Sequence, residues 1–182
     1  MEDPEVPTEH LHEEMHHQVE HAREPWILGV ALSSALLAGF AAVASLLAGH
    51  EANEAMISQI NSANQWNYYQ AKGIKEAQLA SKGDILEALG KPVQEADKAK
   101  IASYEKEKAD IQKEATKLQE ESEKHLFWHS GLAKSVTMFQ IAIAVGAISV
   151  LMRQRSFWLA SLAVGLVGLF FFVQTLLVRG YG

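Results

Sequence analysis

The segment WILGVALSSALLAGFAAVASLLAG, residues 26–49, contains no charged side chain. A helix rises 1.5 Å per residue, so about 20 such residues cross the hydrocarbon layer of a bilayer, which is roughly 30 Å thick. The residues before this segment are acidic and rich in histidine, whereas a signal peptide begins with a positively charged region. We therefore predict a transmembrane helix at residues 26–49, and the other segments of the chain are placed relative to it.

Two more apolar segments follow near the end of the chain. They are GLAKSVTMFQIAIAVGAISVLM, residues 131–152, and FWLASLAVGLVGLFFFVQTLLV, residues 157–178. Only RQRS, residues 153–156, separates them, so the second and third spans must be antiparallel. Lys134 lies near enough to one end for its charge to reach the interface. The predicted fold class is an all-α membrane protein with three transmembrane helices.

Composition excludes several functional classes. The chain has 182 residues and no cysteine, which excludes disulfides, thiolate zinc sites and thiol nucleophiles. Its formal charge of −6 argues against binding to nucleic acid, which requires clustered Lys and Arg. Because the sequence has no Gly-rich phosphate loop, no GxSxG motif and no enclosed carboxylate pair, we expect neither an enzyme nor a cofactor.

Residues 50–130, between the first two spans, have the composition of long helices, rich in Ala, Glu, Lys and Gln. The clear break is Gly90-Lys91-Pro92. Glycine suits the C′ position of a helix, and proline suits the first turn of the next one. We predict a long extramembrane antiparallel helical hairpin, or arm, that turns near residues 90–92.

Heptad spacing predicts which faces of the two arm helices meet. In the first helix the predicted seam is Met56, Ile60, Ala63, Asn67, Gln70, Ile74 and Ala77. In the second it is Ile101, Tyr104, Lys108, Ile111, Ala115, Leu118, Ser122 and His125. The core between two such seams is narrow, and the free energy gained by burying it scarcely offsets the entropy lost when the backbone is ordered. We therefore expect the arm to need partners.

The stretch NQWNYYQAKGIK, residues 64–75, concentrates aromatic and amide side chains in the first arm helix. If the arm stands upright, residue 66 lies about 25 Å beyond residue 49, too far for an interfacial aromatic belt. We predict instead a face that packs against another subunit or the second helix. Its residues are Trp66, Asn67, Tyr69, Gln70 and Gly73. The alternative is a ligand or peptide groove built from Trp66, Tyr69, Gln70 and Lys72.

The motifs NQW (residues 64–66), YQAK (69–72) and IK (74–75) resemble those of a bacterial family of small membrane proteins known only as a domain of unknown function. Its members are similar in having a His- and Glu-rich leader, one span, an amide- and aromatic-rich helix, a charged helix and two closing spans. The resemblance implies a bacterial inner membrane. It brings no activity, cofactor or catalytic residue.

The leader, residues 1–25, contains HLHEEMHHQVEH at residues 10–21. In a helix His10, Glu14, His17 and His21 would share one face, and the i, i+4 pair His17 and His21 could bind Zn²⁺, Ni²⁺ or Cu²⁺ weakly. A disordered leader, or an amphipathic helix that docks on a surface, explains the same residues. An isolated leader cannot enclose a catalytic zinc site, so the HEEMH pattern does not predict a protease.

The charges beside the spans predict orientation. Arg23, Arg153 and Arg155 flank one side in short segments, against Arg179 on the other. The positive-inside rule then places the N-terminus and residues 153–156 in the cytoplasm and the arm in the periplasm. Three lysines that flank the second span argue the other way.

The spans themselves predict assembly. Small residues recur four apart, as in Ala142 and Gly146 or Ser161 and Gly165, and such rows let helices approach closely. Gln140 and Gln174 are predicted at similar depths, where they bond across the helix pair or line a pore in an oligomer. No Asp, Glu, Arg or His lies within the hydrocarbon stretches, which argues against active transport.

These observations predict a non-enzymatic, oligomeric scaffold or interaction protein of the inner membrane. Its expected partners are the lipid bilayer, copies of itself and a protein that binds the arm. A passive channel formed by the oligomerised spans is one alternative. A metal- or pH-responsive regulator that acts through the leader is another.

Overall fold

The computed structural model describes residues 25–181, and these residues form three α-helices with no strand among them. Helix α1 is Pro25–Ala88, α2 is Glu95–Leu151 and α3 is Arg155–Tyr181. Each contains a stretch long and apolar enough to cross a membrane. Contacts divide the described chain into two units. Residues 25–47 and 131–181 form the apolar unit, and residues 48–130 form the helix pair.

The interior of the apolar unit combines small residues with phenylalanine. Helices α2 and α3 are antiparallel, because Gly146 lies beside Ser161 while Gly168 lies beside Phe139. The Phe139 side chain is fully buried and stacks on Phe40 of α1 with ring centroids 6.0 Å apart. Because Gly146, Ser161 and Gly168 occupy little space, the three helices can approach closely around these rings.

The outer surface of the apolar unit carries many large apolar side chains. Exposed examples are Leu28, Leu32, Leu36, Leu46, Leu159, Leu166 and Phe170. A contiguous apolar surface of this kind is rare on soluble proteins. It is the surface that lipid tails would cover in a bilayer.

The connection between α2 and α3 is closed by main-chain hydrogen bonds. The Arg153 N–H donates to the Val150 carbonyl at 3.2 Å, and the Gln154 N–H donates to the Ser149 carbonyl at 3.1 Å. Arg153 has a φ of 51°, so it occupies the left-handed position that ends a Schellman motif. This motif gives α2 a sharp end and lets α3 begin two residues later.

The connection between α1 and α2 uses the same motif with glycine. Gly90 has a φ of 66°, and its N–H donates to the Glu87 carbonyl at 2.9 Å. The Lys91 N–H donates to the Leu86 carbonyl at 2.8 Å. The predicted role of Gly90 as a C′ residue is confirmed.

The predicted position of Pro92 within the first turn of the next helix is wrong. Helix α2 begins at Glu95, and the Gln94 carbonyl accepts the hydrogen bond of the Asp97 N–H at 3.0 Å. Since Gln94 opens this first helical turn, Pro92 lies in the connecting residues. There its fixed φ stiffens the loop.

Serine hydroxyls hold the two members of the helix pair together. The Ser122 hydroxyl donates to the Ala55 carbonyl, and the Ser62 hydroxyl donates to the Ala115 carbonyl, both at 2.9 Å. These bonds cross between α1 and α2 in antiparallel order. The predicted α2 seam is confirmed. Ile111, Ala115 and Ser122 are buried, and Ile101, Tyr104, Lys108, Leu118 and His125 are half-buried.

The predicted α1 seam is wrong. All seven of its residues, Met56, Ile60, Ala63, Asn67, Gln70, Ile74 and Ala77, are exposed. The residues that face α2 are Glu51, Ala55, Ser58, Ser62, Gln65, Tyr69, Lys72, Glu76, Leu79, Gly83 and Leu86. Both sets have heptad spacing. The second set faces α2 because its small residues permit the serine bonds and its charged residues find partners on α2.

Gly90→Ala should destabilise the helix pair by roughly 1 kcal/mol, because an L-residue is strained at this positive φ. The matched control is Gly73→Ala, at a helical site where an added Cβ meets no atom within 4 Å. The control should gain stability through higher helix propensity. Thermal unfolding of both full-length variants in detergent, followed by circular dichroism, checks the opposite signs. Equal shifts would contradict the left-handed assignment.

Gly168→Ala should destabilise the apolar unit by about 1–3 kcal/mol through overpacking. An added Cβ would lie 2.8 Å from the Phe139 ring, whereas a Cβ at Gly39 would meet no atom within 4 Å. Gly39→Ala is therefore the control. Unfolding titrations with a denaturing detergent measure the difference, and equal stability of the two variants would contradict the packing described here.

Candidate functional site

The aromatic and basic residues of NQWNYYQAKGIK form a cluster with α2. Lys72 Nζ donates a hydrogen bond to Glu107 and lies 5.1 Å from the ring centroids of both Tyr68 and Tyr104. The Ser103 hydroxyl donates a second hydrogen bond to Glu107 at 2.9 Å. The lysine charge is therefore neutralised by a carboxylate and also faces two aromatic rings, an arrangement that adds cation–π attraction.

A second pair lies beside the first and has the opposite polarity. Lys108 Nζ of α2 donates to Glu76 Oε2 of α1 at 2.8 Å, and it lies 5.3 Å from the Tyr69 ring centroid. Trp66 packs edge-on against Tyr69, with ring centroids 5.6 Å apart. We call these two pairs and their rings the Lys–Tyr cluster. Its members are Tyr68, Tyr69, Lys72, Glu76, Tyr104, Glu107 and Lys108.

The ion pairs shift the pKa values of Lys72, Glu107 and Lys108. The hydrogen bond from Lys72, followed by that from Ser103, lowers the pKa of Glu107. The hydrogen bond to Glu107 raises the pKa of Lys72, and the bond to Glu76 raises the pKa of Lys108. Each shift favours the charged form. Lys72, Glu107 and Lys108 are therefore charged around neutral pH.

The Lys–Tyr cluster fixes the alignment of α1 against α2. Each helix supplies one lysine and one glutamate, so sliding either helix by one residue would separate both pairs. The predicted polar interruption of the α2 seam at Lys108 is the partner of Glu76. Polar residues at core positions of coiled coils specify register in this way.

The structure divides the predicted interaction face. Trp66, Tyr69 and Gly73 are half-buried, whereas Asn67 and Gln70 are exposed. The alternative ligand groove is divided too, because Lys72 is bound to Glu107 while Gln70 lies on the open surface of α1. Trp66, Tyr69 and Gly73 thus lie nearer to α2 than Asn67 and Gln70 do.

Glu51, His125 and His129 form a second polar cluster in the helix pair. Glu51 is completely buried, and its Oε2 lies 2.7 Å from His125 Nδ1. His129 Nδ1 lies 2.9 Å from the Ala48 carbonyl oxygen, so a protonated Nδ1 would donate to it. The His125 ring packs edge-on against Trp128, with centroids 5.2 Å apart. These contacts hold both imidazole rings in fixed orientations.

The sequence pattern placed His125 and Lys108 in the α2 seam, but their partners on α1, Glu51 and Glu76, were missed, as was the pairing of Lys72 with Glu107. A signal was present. Positions 51, 55, 58, 62, 65, 69, 72 and 76 keep heptad spacing, and their charged members can pair with charges on the α2 seam. Choosing the seam of α1 by its larger apolar side chains favoured the set of residues that does not face α2.

The prediction that Gln140 and Gln174 lie at similar depths is wrong. Gly131 lies against Thr175, and Gly168 lies against Phe139, so α2 and α3 place the two amides about seven residues, or ~10 Å, apart along the helices. Both side chains are exposed. Within the described residues the two amides form no hydrogen bond with each other.

The predicted metal ligands His10, Glu14, His17 and His21 lie outside the described residues, as does the rest of residues 1–24. In residues 25–181 no three His, Asp or Glu side chains come together in a metal-binding arrangement. The weak Zn²⁺, Ni²⁺ or Cu²⁺ site at the leader therefore stays a prediction.

The fold and its clusters define an all-α protein with three helices long and apolar enough to cross a membrane. Its polar clusters lie in the helix pair between the first two of those apolar stretches. The chain belongs to the family described as a domain of unknown function, DUF4337, which it matches over residues 26–178. The family resemblance inferred from the NQW, YQAK and IK motifs is thereby confirmed. No curated protein and no solved structure matches the chain.

The stability of the helix pair should fall in acid as Glu107 becomes protonated. Because the pKa of Glu107 is below its ordinary value of 4.5, its contribution is complete above that pH and is lost as pH falls through the lowered pKa. Glu107→Gln should lower the melting temperature near neutral pH and flatten its decline below pH 4.5. Circular dichroism melts of the full chain across this range provide the measurement.

The control for this prediction is Glu114→Gln. Glu114 is exposed on α2 and belongs to neither cluster. This variant should keep the acid decline of the parent chain. If Glu107→Gln and Glu114→Gln have the same pH profile, the Lys72–Glu107 pair does not stabilise the fold.

Proposed function

We propose that this protein is a non-enzymatic scaffold of the bacterial inner membrane that acts as a homo-oligomer. In this proposal the apolar unit crosses the bilayer with three helices. The helix pair forms an extramembrane antiparallel hairpin between the first and second spans, and it presents a surface for assembly. The lipid bilayer, further copies of the chain and a protein bound to the hairpin are the proposed partners.

The observation that carries this proposal is the distribution of apolar residues in the helix pair. On α1 the apolar and hydroxyl side chains buried against α2 are small ones such as Ala55 and Ser62, whereas Met56 is 56% exposed, Ile60 is 53% exposed and Ile74 is 60% exposed. A single exposed isoleucine is ordinary on a protein surface, but repeated ones at heptad spacing indicate a docking face. The hairpin keeps its larger apolar side chains available for another molecule.

The energetics of the hairpin support the same proposal. Burying alanine and serine removes little apolar surface from water, so the hydrophobic gain per ordered residue is small. The charged pairs align the helices, but partly exposed ion pairs contribute little net stability. A second surface contact would supply the burial that the seam lacks.

The proposed orientation rests on charges at one end of the apolar unit. Arg155 lies over the Trp26 ring at 5.9 Å, so the start of α1 and the start of α3 are at the same end of this unit. With Arg153 also in the connection, the basic residues favour that end as the cytoplasmic side. The hairpin then extends into the periplasm.

A non-enzymatic role is supported by the way the polar clusters are used. Lys72, Glu76, Glu107 and Lys108 bind one another across the two helices. Glu51 is enclosed against His125. These groups pair with one another and align the two helices. They do not place a nucleophile, a base and an oxyanion donor around a common point.

The observations favour the scaffold over a passive channel. A pore lined at one depth by both Gln140 and Gln174 would require the two amides to be level, and their registers differ by about 10 Å. Their exposure fits packing between copies, the commoner use of polar residues in membrane helices. A conductance measurement on the purified protein distinguishes the channel from the scaffold.

Purified protein in nanodiscs should have a mass of more than one chain per particle, and the variant Ile60→Asp, Ile74→Asp should shift particles toward single chains. Buried charges would be unpaired in any contact made by that surface. Mass photometry measures the distribution. The matched control is Lys113→Ala, at an exposed position of α2, and it should leave the mass unchanged.

Strictly single-chain particles at all protein-to-lipid ratios would overturn the oligomeric scaffold. The same preparation in planar bilayers should carry no current. A steady conductance that changes in Gln140→Leu would establish the channel instead.

A further inference from the structure

One surface of α1 combines regular spacing with exposure over more than three heptads. Its central rows hold Met56, Ile60, Ala63, Asn67, Gln70, Ile74, Ala77 and Ser81, and all are exposed. Relative to the residues that face α2, this surface is displaced by one or two positions, which is roughly 100–200° around a helix. Both surfaces of α1 can therefore be covered at the same time. We call it the outer α1 face.

The outer α1 face carries no charge. Its flanking positions are Ile57, Gln59, Asn64, Trp66, Ala71, Gly73, Gln78 and Ala80. Between residues 56 and 81 the charged residues are Lys72, Lys75 and Glu76, and two of these are paired with α2. By contrast, α2 exposes many lysines and glutamates. Charge complementarity thus favours a partner surface that is also uncharged, and the outer α1 face of a second copy meets this condition.

The order of residues along the face indicates how a second copy would lie. Ile60, Asn67 and Ile74 follow one another at seven-residue intervals, in the a positions of a heptad whose d positions include Met56 and Ala63. In two-stranded parallel coiled coils isoleucine is favoured at a positions together with leucine at d, and a single asparagine among the a positions specifies register by facing its own equivalent. The amide is both donor and acceptor, so two copies of Asn67 can satisfy each other.

A shallow apolar groove continues the face toward the end of α1. Its lining includes Ile74, Ala77, Ser81 and Ile85, together with Lys82, whose charge is paired with Asp97. Alanine and serine on the floor of this groove leave room for larger side chains from another helix. The face therefore offers both protruding residues and recesses, as interlocking coiled-coil packing requires.

We propose that the outer α1 face binds the same face of a second copy, parallel and in register, with Asn67 opposite Asn67. This inference rests on the proposed function, because spans inserted in one direction make α1 of every copy point the same way. The contact is isologous, with a two-fold axis along the membrane normal. It identifies the partner of the hairpin as another molecule of this chain.

The absence of native cysteine permits a direct test by disulfide cross-linking of the full-length chain in bacterial membranes. Single variants Ile60→Cys, Asn67→Cys and Ile74→Cys should each form dimers under mild oxidation. Lys75→Cys is the control, because it is exposed beside the face. The three test positions should cross-link about tenfold faster than the control, since proximity raises the effective concentration of the thiols.

Coexpression of Ile60→Cys and Ile74→Cys chains, one carrying a size tag, distinguishes parallel from antiparallel contact. In the parallel arrangement residues 60 and 74 are about 21 Å apart, so only dimers of like chains should form. A mixed dimer of the two variants would show antiparallel packing around Asn67 and would overturn the proposal.

A charge variant separates this contact from chance collisions. Adding Ile60→Asp and Ile74→Asp to the Asn67→Cys chain should reduce its cross-linking about tenfold, because two like charges would face each other in the contact. Both isoleucines are exposed in the single chain, so its thermal unfolding in detergent should remain close to that of the parent. Unchanged cross-linking in a folded variant would overturn the inference.

Mass measurements in nanodiscs separate the failure of this inference from the failure of the proposed function. Oligomeric particles without preferential cross-linking at residues 60, 67 and 74 would overturn the α1 contact but leave the scaffold in place. Single-chain particles would overturn both. Cross-linked products whose mass differs from two chains would show a foreign partner on the face and would also overturn the inference.

Discussion

The close approach of α1 and α2 in the helix pair determines how its other side chains are used. Ser62 and Ser122 donate hydrogen bonds to the main chain of the opposite helix, which is feasible only where small residues face each other. Each carbonyl oxygen has a second lone pair, so the helical hydrogen bonds are kept. Because the seam admits small side chains at these positions, the isoleucines of α1 lie outside it.

The apolar unit uses a related device for a different environment. Gly146 lies against Ser161, and the Ser161 hydroxyl donates to the Ala142 carbonyl at 2.6 Å. Large aliphatic side chains are exposed on both units, but the consequence differs. Lipid tails satisfy an apolar surface in the membrane, where helices gain little hydrophobic drive to associate. In water the same kind of surface favours docking, which is why the helix pair is the stronger candidate for specific assembly.

The positions of the helices were predicted well, because the length of an apolar segment and the absence of charge within it directly indicate a helix that could cross a membrane. Uncharged runs indicate the apolar stretches, and Gly90 indicates the end of α1. The choice of the α1 face was not available from periodicity, since two sets of residues have the same heptad spacing. Apolar size favoured Ile60 and Ile74, whereas charge pairing favoured Lys72 and Glu76. The prediction that Gln140 and Gln174 lie at similar depths was wrong for a related reason. Counting residues outward from the connection between α2 and α3 ignores the register that the contact between Gly168 and Phe139 imposes.

If the proposed contact between copies forms, the two heptad sets of α1 serve two different interfaces, one with α2 and one with a second chain. The inner set carries ions because each charge has a fixed partner on α2, and mispairing would leave charges without partners. The outer set carries no charge, so it can meet an identical surface without repulsion. A helix exposed to water on its outer side would ordinarily alternate acids and bases there, as α2 does. The amides, alanines and isoleucines on that side of α1 are the residues that the proposed contact between copies would cover.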